Sequence, residues 1–238
     1  EILNKIKNKN FYTYGINKNS NFQILNVSQK TNLSSFDIKI NIPANKKIIK
    51  KIKIPLIGLH NIKNVTSAVA VAFSIGISEK IIKKGLIKFK GVQRRFSFLF
   101  KHNKTIFIDD YAHHPTEISS VLEGVKKVYD KKEIICVFQP HRISRVKNLK
   151  LEFSRCFKKA DTVLLCPIYK ANENLKLGFS YSSFAKLIIK NSKVKLININ
   201  NDLELKKFIK QTAYGEKIYI GMGAGSISNW MRSLKNNI

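Results

Sequence analysis

Apolar positions in the second half of the chain fall into short runs, at 106–108, 134–138, 163–166, 194–199 and 218–220. Between them apolar side chains recur at helical spacing, first as Ile118, Val121, Leu122 and Val125. Short runs that are apolar at consecutive positions predict strands buried on both faces, and their alternation with helices predicts a mostly parallel, doubly covered sheet. The first half reads differently. Phe11-Tyr12-Thr13-Tyr14-Gly15 is aromatic-rich, and Phe36 to Ile40 alternates with the period of a half-exposed strand. Gly58 to Asn64 leads into a predicted small-residue helix, Val65 to Ile75, which Gly76 closes, and a second helix is expected over about 80 to 89. Apolar periodicity lapses from Gly91 to Phe96, so two domains are expected, 1–92 and 93–238. The fold class is α/β, ending in a Rossmann-like domain with a mostly parallel sheet.

The chain has 238 residues and 44% hydrophobic content, enough for sizeable cores. Its net charge of +29 invites a nucleic-acid reading. Lysine is spread along the whole length, however, mixed with Ile and Asn in Lys5 to Asn10, Lys46 to Lys53 and Lys186 to Lys195. We attribute the excess to a coding sequence rich in A and T, which the base composition of the gene tests, and expect no nucleic-acid partner. Cys136, Cys156 and Cys166 lie in or beside apolar runs without metal-ligand spacing, as expected of core thiols in a reducing cytoplasm. No signal peptide is visible, and no segment has the roughly 18 uninterrupted apolar residues of a membrane span. The first residue is Glu1 rather than Met, so the chain is expected to be a fragment of something longer or to have been trimmed.

The densest chemistry follows the strand at 106–108, in Asp109-Asp110-Tyr111-Ala112-His113-His114-Pro115-Thr116-Glu117. Carboxyl ends of strands in open α/β sheets face the crevice that binds ligands. Asp110 there suits a ribose hydroxyl, a metal-bound water or a cation, and spacing does not choose among them. The rings of His113 and His114 must diverge, so one of them faces the site; a His pair beside Pro also suits a helix start, and no metal site is expected from it. Gln139-Pro140-His141-Arg142-Ile143-Ser144-Arg145 ends the next strand in sequence, expected to be its neighbour in the sheet. Two guanidiniums three residues apart can project together towards a carboxylate or phosphate. Gly221-Met222-Gly223-Ala224-Gly225-Ser226 has Ser226 where G-x-G-x-x-G needs a third glycine, so close helix packing is the expected role. No G-x-x-x-x-G-K-[ST] phosphate loop occurs in the 238 residues.

These segments resemble the Mur ligases: Leu59-His60-Asn61 with Asn64, Arg94-Arg95-Phe96, Asp109 to Glu117, Phe138-Gln139-Pro140-His141-Arg142 with Arg145, and Gly223-Ala224-Gly225-Ser226-Ile227, in the family's order. The resemblance runs from about Tyr14 to Leu234 and is most specific for the members that join L-alanine to UDP-N-acetylmuramate. It implies the end of a central ATPase domain followed by a C-terminal Rossmann-like domain. It also implies ATP-dependent amide formation through an acyl phosphate, with ATP and Mg2+, in cytoplasmic peptidoglycan synthesis and hence cell-wall biogenesis, cell shape and division. By resemblance, His60, Asn61 and Asn64 contact adenine, Arg95 reaches the ATP phosphates, and Asp110 lies near the ribose; helix capping is the plain alternative for Asn61 or Asn64. Tyr111, His113, His141, Arg142 and Arg145 line the wall that orients L-alanine and the sugar carboxylate, with Arg95, Asp110 and His113 nearest the reaction. The phosphate loop, the metal ligands and the UDP pocket are expected upstream, so the chain is expected to be inactive alone, or completed by an N-terminal ligase segment in cis or in trans. The alternatives are a murein peptide ligase, which adds a tripeptide to the same sugar, an inactive remnant, and a basic nucleic-acid-binding module.

Overall fold

The computed structural model describes residues 11–30, 33–43, 45–89, 91–173 and 179–236, so the basic run at 5–10 lies outside the described residues. Backbone packing divides the chain into two units, 1–90 and 91–238.

In the first unit, β1 (Tyr14–Gly15), β2 (Phe22–Lys30), β3 (Leu33–Ile42) and β4 (Asn45–Ile54) form one sheet in that order, antiparallel except for β1 against β2. The alternation at 36–40 is realised: Phe36, Ile38 and Ile40 are buried while Lys39 is exposed. That face packs on α1 (Leu59–Ser74) and α2 (Glu79–Lys88) through Ile62, Val65, Val69 and Ile82. Helix α1 begins at Leu59, six residues before the expected Val65. The segment expected to lead into the helix is therefore its first two turns. Its N-cap is Gly58, at φ +94°, with no capping side chain, so the usual start signal is missing.

In the second unit a six-stranded sheet runs in the order β5 (Ser97–His102), β6 (Thr105–Asp110), β10 (Lys217–Met222), β7 (Glu133–Phe138), β8 (Thr162–Leu165), β9 (Lys195–Asn198). Only the edge strand β5 is antiparallel. Helices α3 (Pro115–Val128), α4 (Ile143–Asn148), α5 (Lys150–Arg155) and α6 (Tyr181–Ser192) bury one face; α7 (Asp202–Thr212) and α8 (Ile227–Ser233) bury the other. The three cysteines are free and buried, and burial pushes each thiol pKa up, as expected of core residues.

One expectation is corrected. The strands ending in Asp110 and Phe138 are not neighbours, because β10 lies between them and Met222 pairs with both residues. Consecutive strands often neighbour each other but need not, and β10, buried from Ile218 to Met222, fills the central place. Both polar tips still end at the same level on the same edge. They stand about 10 Å apart, two strand spacings.

Candidate active site

Period two sends the two carboxylates at the end of β6 to opposite faces. Asp109, fully buried, accepts a hydrogen bond from the Ser228 hydroxyl and lies 3.6 Å from the Arg232 guanidinium. Asp110, 2% exposed, accepts backbone N–H bonds from Phe96 to Oδ2 and Ala112 to Oδ1, each 2.7 Å. Burial raises its pKa from 3.8 to about 6, against the opposing pull of those N–H groups and of Arg95. In this conformation Asp110 is a clamp between two loops, with both oxygens taken up by the chain itself.

Beyond it, two guanidiniums stand over the Tyr111 ring, Arg94 4.8 Å and Arg95 5.5 Å from its centre. Arg94, at φ +60°, donates to the carbonyls of Gly223 (2.7 Å) and Gly225 (3.3 Å), tying the segment before β5 to the glycine loop after β10. Arg95 is 46% exposed on its side chain, and its Nη1 stands 3.5 Å from Glu117 Oε1.

The two histidines diverge as expected. His114 is the exposed N-cap of α3: its Nδ1 accepts from the Thr116 N–H, and Glu117 closes the capping box. His113 turns to the site. Its Nδ1 lies 2.9 Å from the Tyr111 carbonyl oxygen, which can only accept, so Nδ1 donates there. Burial raises the Glu117 pKa, but the His113 N–H, the His113 ring, Arg95 and the His114 N–H outweigh it, so the net effect is a lowered value.

At the tip of β7, His141 stacks on Tyr169, with ring centres 5.5 Å apart and planes 12° from parallel. Arg145 Nη1 lies 3.3 Å from His141 Nδ1, so that nitrogen accepts and Nε2 holds the proton. Burial, then Arg145, His113 and Arg142, lower the His141 pKa, keeping the ring neutral at neutral pH. His113 meets His141 edge-on at 5.9 Å and Tyr111 at 5.1 Å. Tyr111, His113, His141 and Tyr169 thus form a row of rings spanning the gap that β10 opens between β6 and β7. Arg142, at φ +66°, caps α4 and is exposed, while Arg145 is drawn in towards His141. The start of α4 is held by Glu173, whose carboxylate accepts from the N–H (3.0 Å) and hydroxyl of Ser144.

The glycine loop supports the row from beneath. Gln139, 3% exposed, donates to Ser226 Oγ and accepts from the Ile227 N–H, both at 3.0 Å. A Cβ on Gly225 would stand 2.5 Å from Gln139 Oε1 and from Tyr169 Cγ, and one on Gly221 2.4 Å from Met231 Cγ. Close packing is what these glycines permit, as expected from the missing third glycine.

The remaining sequence candidates lie in the first unit. The His60 ring folds back over Gly58, where a Cβ would come within 2.6 Å of it. Asn61 is buried and donates to the Ile57 carbonyl at 2.7 Å, and Asn64, one turn on, is exposed; neither caps α1. Sequence reasoning singles out neither Tyr169 nor Glu117. Tyr169 carries no motif, although its place just past the end of β8 is the kind of position that marks the other tips; Glu117 stands in a conspicuous segment, but its partner Arg95 lies too far along the chain for spacing to pair them. Among the described residues no group of three or more His, Cys, Asp or Glu is placed to hold a metal ion, and no helix is long and apolar enough to cross a membrane.

Residues 94–225 match the family described as Mur ligase, glutamate ligase domain, and residues 1–72 match the Mur ligase middle domain. The UDP-N-acetylmuramate–L-alanine ligase of Pelagibacter ubique is 59% identical over 235 residues, covering 98% of this chain and 51% of that relative. The UDP-N-acetylmuramate-alanine ligase structure from Thermotoga maritima superposes with a TM-score of 0.75 at 24% identity, over 94% of this chain and 47% of that one. A murein peptide ligase from Psychrobacter arcticus gives 0.64 at 22% identity, over 94% and 45%. The chain spans about half the length of the curated relatives it matches. With more than half of its residues inside one family domain, the chain belongs to the Mur ligase family.

Proposed function

We propose that this chain forms the amino-acid-presenting part of a cytoplasmic, ATP-dependent ligase that joins L-alanine to UDP-N-acetylmuramate in peptidoglycan synthesis. The observation that carries the reading is the row of rings with Arg95 at one end and Arg145 at the other, on the carboxyl edge of a parallel sheet. In this reaction the lactyl carboxylate attacks the γ-phosphorus of ATP, giving an acyl phosphate and ADP. The amine of L-alanine then adds to the acyl carbon, and the tetrahedral intermediate expels phosphate while the nitrogen loses its proton. Negative charge gathers at each stage, so fixed cations and N–H donors lower the barrier.

Arg142 and Arg145 bind the carboxylate of L-alanine in this reading, with Arg145 held to its task by neutral His141. His113 and Tyr111 border the acyl group and orient the amine; orientation of this kind supplies several kcal/mol of barrier lowering, about 7 or more in favourable cases. Arg95 approaches the phosphates. Asp110 acts from beneath by holding the Tyr111–His113 loop in place. His60, Asn61 and Asn64 take the adenine end; with its amide nitrogen already engaged by Ile57, Asn61 offers Oδ1 to the base. When bound, Mg2+ neutralises phosphate charge. Among the described residues no group of three or more His, Cys, Asp or Glu is placed to hold it. No general base is assigned, because the amine can lose its proton to phosphate or water.

The test joins the upstream half of the Pelagibacter ubique ligase to this chain. With ATP, Mg2+, UDP-N-acetylmuramate and L-alanine, the chimaera is expected to release ADP and phosphate and to yield the alanyl product by mass. A folded, ATP-binding chimaera that makes no product, beside an active Pelagibacter control, contradicts the proposal.

A further inference from the structure

Glu117 uses its two carboxylate oxygens for different purposes. Oε2 accepts the N–H groups of His113 (3.1 Å) and His114 (3.2 Å) and lies 3.5 Å from His113 Nδ1. Oε1 stands 3.5 Å from Arg95 Nη1. One side chain therefore touches both the cation assigned to the phosphates and the imidazole assigned to the amino acid, which lie on segments about 18 positions apart. Capping alone explains Oε2, since Glu at the third helical position closes a capping box. It does not explain why Oε1 lies against Arg95, a guanidinium that also stands over the Tyr111 ring.

We propose that Glu117 is a positioning residue that couples Arg95 to His113, so that the phosphate-facing cation and the amino-acid wall are set together; the catalytic meaning of this coupling rests on the function proposed above. A carboxylate holding Arg95 on one oxygen and the His113 backbone on the other transmits the position of either to the other through one rigid group. Removing the charge while keeping an acceptor separates coupling from capping, because Gln serves in a capping box as Glu does.

A double-mutant cycle in this 238-residue chain decides the matter, read from the His113 imidazole nitrogen signals. Arg95→Ala is expected to move those signals when Glu117 is present, and to leave them nearly unmoved in the E117Q background, with the urea midpoint of E117Q close to that of the unsubstituted chain. The same Arg95→Ala shift in both backgrounds overturns the proposal, since the influence would then run through Tyr111, which touches both Arg95 and His113. Should E117Q not fold, E117D, which keeps the charge but draws it back by one methylene, takes its place with the same expectation. In the active chimaera, E117Q is expected to raise KM for ATP and for L-alanine together, by roughly fivefold or more, with a smaller effect on kcat. A change in neither overturns the coupling as a feature of the reaction. If the unsubstituted chimaera is itself inactive, the proposed function fails, and the chemical-shift cycle still judges the coupling.

Discussion

Replacing Asp110 with asparagine isolates the electrostatic cost of the clamp beneath the candidate site. Burial holds the Asp110 pKa near 6 in the folded chain, against 3.8 for an ordinary aspartate. A group whose pKa is raised by folding binds more protons when folded, so its contribution to stability is complete below about 3.8 and is lost as pH rises through about 6. At 1.36 kcal/mol per pH unit, the loss comes to about 3 kcal/mol. Other groups titrate nearby with the opposite sign. Glu117 and Asp37 have lowered pKa values, so they add stability as pH rises through the acid range, and His141, also lowered, destabilises as it protonates on acidification. The difference between two proteins cancels them. In D110N one of the two N–H groups, Phe96 or Ala112, loses its acceptor, at a cost of about 1–3 kcal/mol that does not vary with pH. Urea denaturation of both proteins at pH values from 4 to 7 is the assay. D110N should be the less stable at pH 4, and the gap should close, or reverse, by pH 7, changing by about 2 kcal/mol over the interval. A gap that stays constant across this range would refute a carboxylate titrating near 6 at this position.

Further expectations concern packing and activity. G225A places a Cβ 2.5 Å from both Gln139 and the Tyr169 ring, and should lower the unfolding free energy by about 1–3 kcal/mol in a urea titration. The chain alone, having no phosphate loop among its 238 residues, should release no phosphate from ATP in a colorimetric assay, with or without L-alanine. In the chimaera, R145K keeps the charge but loses the planar fork that meets both a carboxylate and His141, and steady-state kinetics should show KM for L-alanine rising about tenfold or more.

Much of the second unit was legible because its strands are buried on both faces and so announce themselves as apolar runs ending abruptly in polar residues. The tips at Asp110 and Gln139 stood out for that reason, and the family resemblance rested on them. The central place of β10 was not legible, since the order of strands in a sheet is set by crossovers and not by order along the chain. Strand β5 escaped because Phe98 is 64% exposed and a bulge between Phe98 and Phe100 breaks the alternation that marks a strand. The start of α1 escaped for the opposite reason, a glycine N-cap with no side-chain signal. The roles of Glu117 and Tyr169 depend on partners 22 and 28 positions away, a relation that only the folded chain displays.

The tips of β6 and β7 meet over the intervening β10, and proton cross-relaxation between the imidazoles of His113 and His141 in this chain measures that meeting directly. With their ring centres 5.9 Å apart and edge to face, the assigned ring protons are expected to show a cross-peak, which H141A removes. Assigned signals from both rings with no cross-peak between them would contradict a shared crevice and the function built upon it.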